Sequence, residues 1–330
     1  MKILILGAGG IGGYFGARLI QSGADVTFLL REKRHAKIEA EGLVIETPKE
    51  SFTVKPKAIT KDQLKPEYDL IVLAPKSFDF EDALASLEGA SSKGVFLPFL
   101  NGLDHIHQLD DRYGKDRVLG GVAHIAATIS PTGAVKQLND KHMLTVGHRD
   151  VTHEKIARDF FALCKNTGFD SLYSEDIEQS LWDKWVFLSS LAGMTTLCRG
   201  HVGKISAAKW GIESTTNFYA ESCAIAAANG FPITEIAQKR SLEMLTKVKS
   251  SFAASMLRDL TQGNMTEHDH ILGQMIQRGV EKGGSVWEIS EIEPLQMQIV
   301  IQKLFTPEDK RNTQANYFRL ILAKPRLTLV

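Results

Sequence analysis

The feature that most narrows the fold stands at the start of the chain. An apolar run, Ile3 to Leu6, breaks directly into glycines at 7, 9 and 12 and then into a helix-spaced stretch from Ile11 to Gln21. The three glycines do different things. Gly7 permits the tight turn, Gly9 lets the backbone approach a pyrophosphate, and Gly12 lets helix and strand pack closely. Ala8, Gly10 and Ile11 complete the turn, and the helix would aim its N-terminal amides and the positive end of its dipole at phosphates. A second β-rich run, Asp25 to Leu30, returns after Gly23, giving a dinucleotide-binding unit of about the right length. The residue that closes this second strand sorts dinucleotides by charge. An acid would accept hydrogen bonds from ribose hydroxyls, whereas Arg31 suits a 2′-phosphate, with Lys33 and Arg34 as auxiliary charges. NADPH is therefore expected as cofactor, the alternative being a solvated Arg31 with Glu32 on the ribose.

The alternation of β-rich and helix-spaced runs continues through Asp69 to Ala74, Gly94 to Leu100, Arg117 to His124 and Asp170 to Tyr173. Such a pattern predicts an α/β domain with a doubly wound, mostly parallel sheet. An antiparallel pair is expected at Ala134 to Leu138 and Met143 to Gly147, with Asn139, Asp140 and Lys141 in its turn. After that, helical spacing alone remains, in Ile177 to Leu197, Ile212 to Ala228, Ile233 to Lys247 and Glu267 to Glu281. A length of 330 residues supports two cores. The expected organisation is a Rossmann domain over 1–175 followed by an all-α domain over 176–330, with 311–330 as a closing helix and tail.

Charge excludes some partners. With 39 Lys+Arg against 39 Asp+Glu there is no net field to draw nucleic acid or anionic lipid. The run Ile3 to Leu6 is too short for a secretion signal and no apolar stretch is long enough for a membrane span, so a cytoplasmic protein is expected. Three cysteines lack CxxC spacing, and the histidines contain no HExxH. His268 and His270 would point to different faces of a helix, so no metal is expected.

Ligands of open α/β sheets collect at the carboxyl ends of strands, where this chain has Lys76 after Pro75 and Asn101 before Gly102. Each also has a plain reading, Lys76 as an exposed residue and Asn101 as half of a common turn pair. Lys184 lies among Trp182, Trp185, Val186, Phe187 and Leu188, so it either snorkels or sits in a partly dry cleft. Glu267 follows Thr266 at the start of a helix pattern, where Thr266 suits an N-cap and Glu267 a first-turn acid.

Taken in order, GAGGIG at 7–12, LLR ending at Arg31, APKS around Lys76, LNG around Asn101, LWDKW around Lys184 and SMLRDL…TEHDHILG from Ser255 to Gly273 resemble the ketopantoate reductase (2-dehydropantoate 2-reductase) family over nearly the full length. The resemblance implies a Rossmann domain followed by a helical one, and NADPH-dependent reduction of ketopantoate to pantoate for pantothenate synthesis. It further implies Lys184 as general acid, Glu267 as a substrate-binding or lysine-orienting carboxylate, Ser255 as a substrate contact, and Asn101 and Lys76 near cofactor and substrate. A proton donor fits the chemistry, since hydride arriving at a keto carbon leaves an alkoxide. One departure concerns the substrate: the family's Asn residues one and two helical turns after the lysine are here Leu188 and Ala192. Losing those donors opens the way to a more apolar branched 2-oxo acid. A non-catalytic NADP-binding regulator and a β-hydroxyacid dehydrogenase are the competing readings, and a homodimer is the default assembly.

Overall fold

The run Lys2–Leu6 forms strand β1, and burial of residues 3 to 6 on both faces explains why it is apolar without alternation. The structure, a computed structural model, describes residues 1–88 and 93–282. Helix α1 (Gly10–Gln21) leads to β2 (Asp25–Leu29) and α2 (Glu32–Glu41). The chain continues through β3 (Leu43–Glu46), β4 (Ser51–Val54), β5 (Lys57–Ile59), β6 (Leu70–Leu73), α3 (Phe80–Ala85), β7 (Val95–Pro98) and α4 (Asp104–Tyr113). Strands β5-β2-β1-β6-β7 form one sheet in that order, all parallel. The order reverses between β1 and β6, which opens a crevice at their carboxyl ends. Gly7 follows one of those ends and Lys76 the other.

A second sheet joins β3 and β4 to β8 (Gly120–Ile129), β9 (Val135–Gly147) and β10 (Asp170–Tyr173), with α5 (Glu154–Cys164) between the last two. Here the expected antiparallel pair is corrected. Val135 to Gly147 is one strand, pairing antiparallel with β8. The reversal lies at Ser130–Ala134 instead, where Gly133 takes φ +89 and Ser130 N–H donates to Ala134 O at 2.8 Å. Asn139, Asp140 and Lys141 still leave the ladder, but as a bulge: β8 advances from Ile125 to Ala127 while β9 advances from Gln137 to His142.

Helices follow from residue 177: α6 (Ile177–Leu197), α7 (Val202–Ser206), α8 (Gly211–Ala228), α9 (Glu235–Leu245), α10 (Ser255–Thr261) and α11 (Gln274–Glu281). Asp176 caps α6 by accepting from Gln179 N–H at 3.0 Å. The expected helix from Glu267 begins later, as a π-helical turn over Asp269–Gly273 that runs into α11. Thr266 does not cap it, since its hydroxyl meets His268 Nδ1 at 2.8 Å. The closing stretch 311–330 lies outside the described residues. Among the described residues no helix is long and apolar enough to cross a membrane.

Each face of the parallel sheet has its own core, but the helical half does not close alone. Its core of Leu181, Trp182, Trp185, Tyr219 and Met275 also takes in Leu103, Ile106 and Val122 from the sheet half. This shared joint fixes α6 against β8, along the crevice.

Candidate active site

The glycine turn has the geometry of an anion cradle. Gly7 adopts φ +87, a left-handed conformation that a side chain would strain. A Cβ on Gly12 would stand 2.6 Å from the Gly7 carbonyl, so only glycine lets α1 start this close to β1. Gly9, the N-cap of α1, has nothing within 4 Å of where its Cβ would be, and this open side is where a pyrophosphate has room to reach the first amides of the helix. The backbone of Ala8 is held from behind, its carbonyl accepting from Arg34 Nη2 at 3.1 Å, while Arg34 Nη1 donates to Gly133 O at 2.7 Å. Arg31 lies two residues past the end of β2, as the N-cap of α2, with its side chain 76% exposed and touching Asp79 at 3.3 Å across a shallow hollow shared with Lys61 and Asp82.

At the other end of the crevice the groups are side chains brought in from distant positions. Glu267 is 6% exposed and collects three donors: Lys76 Nζ at 3.3 Å, Ser77 N–H at 3.1 Å and Asn101 Nδ2 at 3.5 Å. Lys76 Nζ also donates to Asp259 Oδ2 at 3.0 Å. Burial disfavours the Lys76 charge, but the two carboxylates outweigh it and hold the pKa above 10.5. Lys76 is therefore a fixed cation that ties the sheet half to α10, and is not the freely exposed residue of its plain reading. Ser255 opens α10 one turn before Asp259, on the same side of the helix.

Lys184 reaches this cluster from α6. Its neighbour Trp185 donates Nε1–H to Ile271 O at 2.9 Å, and Ile271 N–H returns to Glu267 O at 2.9 Å, so α6 and the Glu267 turn are stitched together at this level. Burial pulls the Lys184 pKa from 10.5 to about 8, and the nearby Glu267 charge offsets only part of that. Among the described residues its ammonium has no hydrogen-bond or ion-pair partner. Leu188 packs half-buried against the helical core, and Ala192 is fully buried within it, so neither presents a polar group.

Several residues of the site escape sequence reasoning. Asp259 sits in the SMLRDL segment, where an acid one turn after Ser255 was available as a partner for Lys76. The Lys184 charge reaches His124 on β8 and His105, which stands 3.3 Å from His270, and burial depresses all three rings. No motif marks them. A separate group, His148, Glu154 and Glu175, has ligand atoms within 4.8 Å of one another, but Arg158 bridges both acids and Tyr173 holds the histidine.

Comparison with known proteins settles the lineage. The ketopantoate reductase PanE/ApbA family pattern matches residues 3–150, and its C-terminal counterpart matches residues 176–288. The chain belongs to the ketopantoate reductase family. It is 30% identical over 279 residues to an uncharacterized oxidoreductase of Bacillus subtilis, covering 84% of this chain and 92% of that protein. It is 28% identical over 278 residues to 2-dehydropantoate 2-reductase of Pyrococcus abyssi, covering 84% of this chain and 90% of the relative. Among solved structures, 2-dehydropantoate 2-reductase of Geobacter metallireducens superposes with a TM-score of 0.78 at 24% identity, over 92% of this chain and all of that one. D-mandelate dehydrogenase with NADH and anilino(oxo)acetate superposes with a TM-score of 0.77 at 20% identity, over 92% of this chain and 98% of that one. Ketopantoate reductases thus supply the fold and the family of oxidoreductases, with the Rossmann half first and the helical half second.

Proposed function

We propose that this chain reduces a 2-oxo acid to the 2-hydroxy acid with NADPH, and that 2-dehydropantoate, converted to pantoate in cytoplasmic pantothenate synthesis, is its leading substrate. The observation that carries this reading is the Lys184 ammonium, which is partly dry, unpaired among the described residues and next to the Glu267 cluster. When bound, a reduced nicotinamide supplies the hydride to the keto carbon. As that carbon–oxygen double bond becomes single, the oxygen gains negative charge, and Lys184 Nζ–H donates the proton that completes the alcohol. Lysine is left neutral and regains its proton from solvent. A pKa of about 8 serves this role, since the group is charged at pH 7 and gives up its proton more readily than an exposed lysine.

Glu267 holds Asn101, Ser77 and Lys76 in one arrangement, and Ser255, at the start of α10, would serve as a further substrate contact. At the nucleotide end, Gly7 to Gly12 would take the pyrophosphate and Arg31 the 2′-phosphate. The convergence of Lys76, Asn101 and Glu267 argues against a regulator that only binds nucleotide. Leu188 and Ala192 favour a second reading, a more apolar 2-oxo acid, and the fold likeness to D-mandelate dehydrogenase makes an aryl acid worth including. The test is oxidation of NADPH and of NADH, followed by absorbance, with ketopantoate, 2-oxoisovalerate and phenylglyoxylate. Ketopantoate should give the highest kcat/KM with NADPH; a higher value for another acid moves the substrate, and no turnover of any acid removes the reduction.

A further inference from the structure

Strand β8 separates its two faces cleanly. A Cβ on Gly121 would strike Phe99 at 2.6 Å, Ala123 belongs to the core of the sheet half, and Ala127 lies against Gly10 of the glycine turn. Residues of the other parity face α6, where Gly120 abuts Ile177 and Val122 is buried with Trp182 and Trp185. His124 is the next residue on that face. From the Gly120–Ile177 contact, four residues along β8 advance about 13 Å and seven along α6 about 10 Å. His124 and Lys184 therefore come side by side, between the helical core and the glycine turn.

Two features make His124 more than a filler. It is half-buried in the crevice wall, and among the described residues neither ring nitrogen has a hydrogen-bond partner. Burial, with the Lys184 charge second, lowers its pKa to about 3, so the ring stays neutral and one nitrogen keeps its proton throughout the working range. Neither nitrogen is among the fully buried polar atoms, so the ring can still meet solvent, and a bound ligand can take the place of that water at its N–H. The positions that would otherwise supply donors along α6 are Leu188 and Ala192, both apolar.

We propose that His124 is a specificity-determining substrate contact, donating a hydrogen bond to the carboxylate of the 2-oxo acid while Lys184 faces the keto oxygen. This rests on the reduction described above. The imidazole takes over the recognition that the helix has lost, and because the donor stands on β8 instead of α6, the side-chain pocket beside Leu188 remains apolar. The bound acid then has a polar end toward the strand and an apolar end toward the helix.

The experiment compares the wild type, His124→Ala and His124→Gln on the preferred acid from the panel and on its methyl ester, with nucleotide affinity from fluorescence titration and folding from thermal melts. The proposal expects KM for the acid to rise about tenfold or more in His124→Ala, with kcat changed by less than about threefold and NADPH affinity unchanged. The preference for acid over ester should fall by a similar factor, and His124→Gln, which keeps a donor, should recover part of both. An unchanged KM and acid-to-ester ratio, a loss confined to kcat, or a loss of nucleotide affinity would each overturn it. A wild type that reduces no acid overturns the reduction itself, a failure visible before any variant is measured. Should His124→Ala not fold, the same readouts on His124→Gln decide, with reduced acid-to-ester preference expected and an unchanged one overturning the proposal.

Discussion

The two ends of the crevice are built by different means. The nucleotide end is a single stretch of six residues, 7 to 12, made almost wholly of backbone and open to solvent at Gly9. The reacting end is assembled from positions 76, 101, 184, 259 and 267, made of side chains, and centred on a carboxylate that is 6% exposed. Backbone amides at a helix start suit a ligand part common to many enzymes, and they have no charge of their own to regulate. Side chains held by one another can have their proton affinities set by the balance of burial and neighbouring charge: burial wins at Lys184 and lowers its pKa, while two carboxylates win at Lys76 and raise it. Binding should therefore follow the first region and turnover the second, and this separation can be attacked directly.

The largest effect is expected from Lys184→Ala, which should lower kcat by about 10² to 10⁴ in steady-state assays while NADPH affinity stays constant. Equal losses in both would break the division. In the wild type the proton that Lys184 donates is present below pH about 8, so kcat/KM should fall about tenfold per unit above it. Glu267→Gln should lower kcat by about 10², since it removes the acceptor shared by Lys76, Ser77 and Asn101. Because the Glu267 charge raises the Lys184 pKa, its removal should also move the alkaline limb of the pH profile to lower pH; a limb that stays in place would show that another group titrates.

At the nucleotide end, Arg31→Ala should weaken NADPH about tenfold and leave NADH nearly unaffected, as measured by fluorescence titration. Asp79→Asn should do the reverse for NADPH, freeing Arg31 from its 3.3 Å contact and removing a negative charge. The smallest effect is on stability. Lys184 has a lower pKa folded than the 10.5 of the unfolded chain, so the folded state is penalised at neutral pH and relieved as pH rises from about 8 toward 10.5. Lys184→Met should raise Tm by about 2–4 °C at pH 7, with the gain shrinking at alkaline pH.

The same contrast explains what was legible in the sequence. The glycine turn could be read because its parts are adjacent and each glycine answers a steric demand that Gly7 and Gly12 meet in the fold. β1 and α6 were equally plain, one a short apolar run and the other a long helical pattern. The β8–β9 region misled because Asn139, Asp140 and Lys141 have turn chemistry and do leave the ladder, while the true reversal around Pro131 and Gly133 lies just before. Lys184 and Glu267 could be named from resemblance, but their meeting depends on Trp185 bonding Ile271, which no local pattern encodes. Asp259 and His124 were missed for the same reason. A histidine in a strand takes its meaning from the helix across from it, and that partner lies 60 residues away.

The joint formed by Leu103, Ile106 and Val122 with the helical core bears on how such a chain can be taken apart. Cutting between Tyr173 and Ile177 would strip that seam on both fragments, leaving Trp182 and Trp185 facing water on one and Val122 on the other. The nucleotide-binding half is not a detachable cassette: heat should dissolve both halves in one event, and grafting either onto a foreign partner would require rebuilding the wall that includes His124.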